Sequence, residues 1–200
     1  MEGNFVNNRS DSSDLLLPEV SVIIPAKNEP YLPFLIQKIR KVLKNPEILV
    51  QEEEGLGKAV RKGFEKARAD KIIVMDGDGQ HPPEKLPEII KNLENFEMVI
   101  CSRERDERSL FRRLITRIAT WWVKKRFNLE LKDPLSGYFG IRKSLLKNLK
   151  LETDGFKIGL EIILKAKPRV KEIPYTLEKR KMGRSKACLR ELLNLMRISG

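Results

Sequence analysis

Apolar residues recur along the chain in two rhythms. Short, nearly unbroken runs rich in Val and Ile alternate with longer stretches in which apolar positions fall three or four apart. "EVSVIIPA" (19–26), "PEILVQ" (46–51), "KIIVM" (71–75) and "EMVIC" (97–101) are runs of the first kind and predict buried strands. "PYLPFLIQKIRKVLKN" places Leu35, Ile39, Val42 and Leu43 at helical spacing, and "GLGKAVRKGFEKARAD" does the same with Ala59, Val60, Phe64 and Ala67. "PPEKLPEIIKNLEN" predicts a third helix, with prolines in its first turn, where no backbone donor is lost. Strand and helix alternate four times without hairpin signals, which predicts a mostly parallel sheet flanked by helices on both faces.

The pattern changes at Ser109. "SLFRRLITRIATWWVKKRF" predicts a long basic amphipathic helix, with Phe111, Leu114, Ile115, Ile118 and Trp122 as its apolar stripe. "DPLSGYFGIRKSLL" reads as turn, short strand and helix start, and "GFKIGLEIILKAK" as helix. "RVKEIPYTLEKRKMGRSK" reads as extended chain entering a basic loop. "ACLRELLNLMRIS" reads as a closing helix with Leu189, Leu192, Leu193 and Met196 on one face. The polar opening is expected to be a disordered lead-in over 1–18, with a single α/β domain over 19–200 that is elaborated in its C-terminal half.

Charge narrows the partners. Lys and Arg number 40 against 28 Asp and Glu, a formal net charge of +12, which favours anionic ligands. Cys101 and Cys188 lie far apart without zinc-site spacing, so a reducing cytoplasm fits. No apolar run reaches the length that spans a bilayer, and the N-terminus lacks signal-peptide order. Nucleic acid is not the expected partner: no helix-turn-helix, zinc spacing or stacking-aromatic run is visible.

Candidate chemistry gathers in "MDGDGQHPP". Asp76 and Asp78 fall at a strand's carboxyl end, where open parallel sheets bind ligands. Two residues apart in extended chain, they point the same way. Gly77 and Gly79 permit a turn and a close ligand approach, and Gln80 adds a neutral oxygen. Such hard oxygens suit Mg²⁺ or Mn²⁺. An Asp-Gly turn with His81 as a helix cap is the other reading of the same residues. "GLGKAVRKG" lacks full dinucleotide or Walker spacing and reads as a tight turn with close helix–strand packing. "EKRKMGRSK" places Arg180, Lys181, Arg184 and Lys186 around Gly183 and Ser185. It is either a solvated basic face or an anion-binding loop, and the glycine and serine favour the loop.

Four segments in order, "VSVIIPAKNEP", "GLGKAVRKGFEKARADKIIVMDGDGQHPP", "DPLSGYFGIRKSLL" and "KEIPYTLEKRKMGRSK", resemble the family 2 glycosyltransferases of GT-A fold, in particular the dolichol-phosphate (polyprenyl-phosphate) mannosyltransferase branch. The resemblance implies an inverting transfer of mannose from GDP-mannose to a polyprenyl or dolichyl phosphate. It implies that Pro25, Lys27, Glu29, Gly77 and Arg103 contact the nucleotide sugar. Asp76 and Asp78 would hold a divalent metal with Gln80. Asp133 would lie at the acceptor pocket, and Arg180 and Lys186 would clamp phosphates. By the same resemblance Asp76, Asp78, Asp133 and Arg180 are the catalytic set.

One stretch departs from the family pattern. Gln51–Glu54 stand where the family has a "DDGS"-type turn that helps to read base and ribose, so a UDP-glucose-dependent glucosyltransferase is the alternative. A nucleotidyltransferase is a further alternative, although "PAKNEP" lacks its glycine-rich fingerprint. The lipid acceptor and the basic helix imply a peripheral place on the cytoplasmic face of a membrane. Relatives often carry transmembrane helices after the catalytic domain, and this sequence ends at Gly200 before any; a complete peripheral enzyme, a piece of a longer chain and a subunit with a membrane partner are the alternatives.

Overall fold

The computed structural model describes residues 17–53, 55–153 and 157–182. The expected lead-in up to residue 16, the closing helix and Lys186 lie outside the described residues. Among the described residues six strands form one sheet: β1 (Val20–Pro25), β2 (Pro46–Gln51), β3 (Lys71–Val74), β4 (Met98–Asp106), β5 (Phe139–Arg142) and β6 (Val170–Leu177). Their order across the sheet is β2-β1-β3-β5-β4-β6. Neighbours are parallel except at β5, which runs antiparallel to both β3 and β4. The expected mostly parallel sheet is therefore present, with one reversed strand at its centre. Because β5 is reversed, the segment that enters it meets the carboxyl ends of β3 and β4: Phe139 pairs with Val74 and with Ile100.

Helices α1 (Leu32–Val42), α2 (Leu56–Lys66), α3 (Leu86–Asn92), α4 (Leu110–Phe127) and α5 (Ile158–Ala166) complete the architecture, and α3 is preceded by a 3₁₀ turn over Pro83–Lys85. Alternation sorts the strand residues between two cores. Val22, Ile24 and Ile73 face Leu35 and Ile39 of α1 and Leu86 and Ile89 of α3. Ile23, Ile72 and Val74 face Val60 and Phe64 of α2 and Ile162 of α5. Strands covered on both faces need apolar residues at every position, which is why they read as unbroken runs. Gly63 makes the α2 contact close: a Cβ there would lie 2.5 Å from Ile23 Cγ2. The glycine-bearing segment is thus a packing device, as its spacing predicts.

Two elements differ from expectation. β4 continues past Cys101 to Asp106 through the polar "SRERD", because β6 pairs alongside it to Leu177, with a register shift between Arg103 and Arg105. Backbone pairing, not apolar content, extends that strand. In α4 the apolar residues divide between two faces. Ala119 and Val123 are buried against Leu160, with Trp122 packed beside them. Leu110, Phe111, Leu114, Ile118 and Trp121 are exposed. The solvent-facing stripe thus carries Trp121 rather than Trp122, and Ile115 is half-buried. Among the described residues no helix is long and apolar enough to cross a membrane.

Candidate active site

The last sheet bond at the end of β3 runs from the Met75 N–H to Ile23 O at 3.1 Å, after which the chain turns. Gly77 packs against the end of β1, where a Cβ would lie 2.8 Å from that of Ala26. Gly79 has φ of +78°, and a Cβ there would strike the Tyr31 ring at 2.5 Å. Asp76 therefore lies just past the end of β3, and Asp78 in the turn that follows. Asp78 Oδ1 accepts the Gln80 N–H at 3.0 Å, and His81 Nδ1 accepts the Asp76 N–H at 3.0 Å.

The chain beyond β6 closes over this turn. The Glu178 N–H donates to Gln80 O at 3.2 Å and the Lys181 N–H to Asp78 O at 3.3 Å, while Gln80 Nε2 donates to Glu178 O at 2.8 Å. The last bond orients the Gln80 amide and commits its nitrogen. Between these contacts Arg180 reaches inward. Its Nη1 donates to Asp78 Oδ2 at 3.2 Å, and its Nη2 pairs with Glu29 Oε2. The other Glu29 oxygen, Oε1, is buried without a hydrogen-bond partner.

Burial dominates the electrostatics of the turn. Asp76 is recessed: its side chain keeps 29% exposure, yet burial pushes its pKa up to about 6, against the pull of Arg180 and Arg103. Burial and the nearby Asp76 charge also raise Asp78. Burial holds His81 down at about 4, so it is neutral at physiological pH.

Arg103, at the register shift of β4, forms a two-pronged bond with Asp133: Nε to Oδ2 and Nη2 to Oδ1, both 2.5 Å. Glu172 of β6 fixes Asp133 in turn by accepting the N–H groups of Lys132 and Asp133 at 2.8 and 3.0 Å. With both oxygens held, Asp133 does not stand free as a base; it aims Arg103. Tyr138, from the same segment, donates its hydroxyl to Pro82 O at 3.0 Å and stacks on His81 with centroids 4.8 Å apart.

Most of the expected residues thus gather about the turn after β3: Glu29, Asp76, Gly77, Asp78, Gln80 and Arg180 directly, and Arg103 with its partner Asp133 near enough to act on the Asp76 charge. Pro25 is the last residue of β1, and Lys27 is exposed in the loop beyond. Three features were not foreseen: Tyr138 as the pin on Pro82, Glu172 beneath Asp133, and the bond of Glu29 to Arg180. His81, read as a possible helix cap, instead accepts the Asp76 N–H, and the 3₁₀ turn that follows is capped at Pro82.

A divalent cation suits this donor set. Two recessed carboxylates with raised pKa, a buried carboxylate oxygen without a partner and an oriented amide supply hard oxygens. Among the described residues no group of three or more His, Cys, Asp or Glu is arranged for a metal. A cation here would rest on Asp76, Asp78 and Gln80 and fill its remaining positions from water and ligand phosphate, the arrangement usual for Mg²⁺.

The fold is that of the GT-A glycosyltransferases. Glucosyl-3-phosphoglycerate synthase from Mycobacterium tuberculosis, solved with Mn²⁺, UDP and glucosyl-3-phosphoglycerate, superposes with a TM-score of 0.68 at 15% identity, covering 98% of this chain and 82% of that one. Residues 37–150 match the profile of Glycosyl transferase family 2, and the chain belongs to that family. It is 36% identical to a dolichol-phosphate mannosyltransferase of Pyrococcus furiosus, over 74% of this chain and 47% of the relative. It is 34% identical to the Saccharomyces cerevisiae enzyme of the same name, over 71% of this chain and 58% of that one. An undecaprenyl-phosphate mannosyltransferase of Micrococcus luteus is 27% identical, over 67% and 61%. The chain spans about half the length of the curated relatives it matches.

Proposed function

We propose that this chain transfers mannose from GDP-mannose to a polyprenyl phosphate of the dolichyl type, inverting the anomeric carbon, with Mg²⁺ or Mn²⁺ as cofactor. The observation that carries the reading is the convergence of Asp76, Asp78, Arg103 and Arg180 at the carboxyl edge of the sheet. Relatives named as polyprenyl-phosphate mannosyltransferases support the choice of sugar and acceptor.

Breaking a sugar–diphosphate bond leaves growing negative charge on the diphosphate. A bound divalent cation, held by Asp76, Asp78 and Gln80, supplies neutralisation of that charge. Arg103, held in one orientation by Asp133, presents fixed N–H donors without reorganisation. Arg180 supplies a second guanidinium from the segment that closes the cleft. Lys186 is assigned to the same clamp. Pro25, Lys27 and Glu29 form the nucleotide side. Gly137 leaves the flank of Asp76 open, since even a Cβ there would lie 3.9 Å from its Oδ2. A lipid phosphate is already anionic near neutral pH, so its oxygen attacks without a strong base. This fits a cleft whose one histidine is buried and neutral.

The acceptor is a membrane lipid, and α4 offers the surface that would meet it. Leu110, Phe111, Leu114, Ile118 and Trp121 are exposed together, with exposed Arg113, Arg117, Lys125 and Arg126 on the same helix. A basic helix with exposed tryptophan fits the headgroup region of an anionic leaflet, here the cytoplasmic one.

The test incubates the chain with labelled GDP-mannose or UDP-glucose, Mn²⁺ and dolichyl phosphate in detergent. The expected product is a mannosyl lipid of anomeric configuration opposite to the donor's. Equal or faster turnover of UDP-glucose moves the chain to the glucosyl branch. Transfer to soluble acceptors alone overturns the lipid assignment.

A further inference from the structure

His81 takes no part in the transfer described above, yet the structure builds it into the acid loop from three sides. The chain's only histidine, it is 4% exposed. Its Nδ1 accepts the Asp76 N–H at 3.0 Å, so the ring carries its proton on Nε2. That second nitrogen lies 3.7 Å from Asp76 Oδ2. One ring therefore addresses both the backbone and the carboxylate of the same residue. The ring itself cannot swing. It stacks on Tyr138 with planes 12° apart, and Tyr175 meets it edge-on with centroids 5.7 Å apart. Tyr138 is pinned by its hydroxyl bond to Pro82 O, one residue beyond the histidine.

The bond also answers a local need. The sheet's ladder at β3 ends with the Met75 N–H, and Asp76 is the first residue whose amide the neighbouring strand does not receive. A recessed amide without a partner costs free energy and lets the residue rotate. His81 accepts that donor and so fixes the backbone from which the Asp76 carboxylate hangs. A lysine or arginine here would bring a competing cation, and an apolar ring would leave the amide unpaired. A neutral imidazole does neither.

We propose that His81 is the positioning residue for Asp76, setting the orientation of that carboxylate toward a divalent cation. The inference rests on the reading of Asp76 as a metal ligand, and the experiment separates the two. Mn²⁺ binding is followed by electron paramagnetic resonance, with the metal alone and with GDP or UDP present, well below each variant's unfolding temperature. The variants are D76N, H81F, H81N and H81A. Phenylalanine keeps the stack and loses both nitrogens, whereas the Asn amide oxygen can stand in for Nδ1. Partners that orient a metal ligand are typically worth ~10- to 100-fold in metal affinity. H81F is expected to weaken Mn²⁺ by about that factor, and H81N to recover most of the loss.

A merely structural histidine would lower the unfolding temperature in both variants and leave the affinity of the folded protein unchanged. H81F within twofold of the parent, or H81N no better than H81F, overturns the proposal. If H81F does not fold, H81N against H81A decides on the same terms: equal affinities overturn it. D76N that binds Mn²⁺ like the parent overturns instead the assignment of Asp76.

Discussion

The Arg180 guanidinium donates from Nη1 to Asp78 Oδ2 at 3.2 Å, so the cation beyond β6 sits on the second acid of the turn after β3. A divalent metal bound to Asp78 and this guanidinium draw on the same carboxylate. On the proposed assignment Arg180 would be a counter-charge that a metal at Asp78 competes with, and a guanidinium so freed would be available to ligand phosphates.

That exchange makes Arg180→Ala a variant with two effects of opposite sign. Transfer should slow by about a hundredfold, the usual scale for loss of one charge-assisted contact to a developing anion. Mn²⁺ binding without nucleotide should tighten, because its competitor is gone. Titration calorimetry with Mn²⁺ alone checks the second effect, and weaker or unchanged Mn²⁺ binding would sink the exchange. The unfolding temperature should also fall, since Glu29 is left buried without its partner.

Metal affinity should depend steeply on pH below about 6. Burial raises Asp76 from 3.8 to about 6, so the folded chain holds this proton more tightly than the unfolded chain does. Its contribution to stability is complete below pH 3.8 and is lost as pH rises through about 6. A metal requires the ionised form, so affinity for Mn²⁺ should fall by up to ~tenfold per pH unit below that value and level off above it. His81 works in the other sense: burial depresses it to about 4, so its contribution is present above 6.5 and lost as pH falls through 4. The two groups therefore oppose each other in the metal-free chain between pH 4 and 6, while the rise in unfolding temperature produced by Mn²⁺ should collapse over the same interval. A Mn²⁺ affinity that is flat from pH 7 to 5 would contradict this.

Phe111→Ser combined with Trp121→Ser should reduce co-sedimentation with acidic vesicles and leave the unfolding temperature nearly unchanged, since both side chains are exposed. Each basic residue near such a surface contributes about 1 kcal/mol, so retention of the parent should also weaken as salt rises. Absence of the parent from acidic vesicles at low salt would point to a separate membrane subunit that presents the lipid.

Gly63→Ala should destabilise the chain by roughly 1–3 kcal/mol, the cost of overpacking a filled core. The added methyl would meet Ile23 Cγ2 at 2.5 Å, so either the buried Ile23 side chain or α2 must shift. Urea unfolding checks it, and a loss below half a kcal/mol would mean that the helix yields freely.

The strands were legible because burial on both faces leaves a local mark, an unbroken apolar run, and the acids were legible because they follow such a run directly. What stayed hidden was long-range. Glu29 and Arg180 meet across nearly the whole described chain, and no local pattern pairs them. The resemblance placed Asp133 at the acceptor pocket, but nothing local showed that Arg103 takes both of its oxygens. The expected α4 stripe also took in Trp122, which packs toward Leu160, because the helix has apolar residues on two sides and periodicity cannot tell the face that meets Leu160 from the one that meets solvent. The reversed direction of β5 left no trace either, since a short apolar run reads alike both ways.

That reversed strand dictates an order of assembly. β3 and β4 are not neighbours, and only β5 joins them, Ile73 and Val99 both pairing with Gly140. As the chain is synthesised, β1, β2 and β3 can form a sheet early, while β4 has no partner until Phe139–Arg142 emerges and Val170–Leu177 follows. The cleft cannot exist in a nascent chain that stops before this point, because Asp76 lies on one side of the gap and Arg103 on the other. A chain stalled before β5 would present β4 with both edges open, the kind of unpaired strand that recruits other chains.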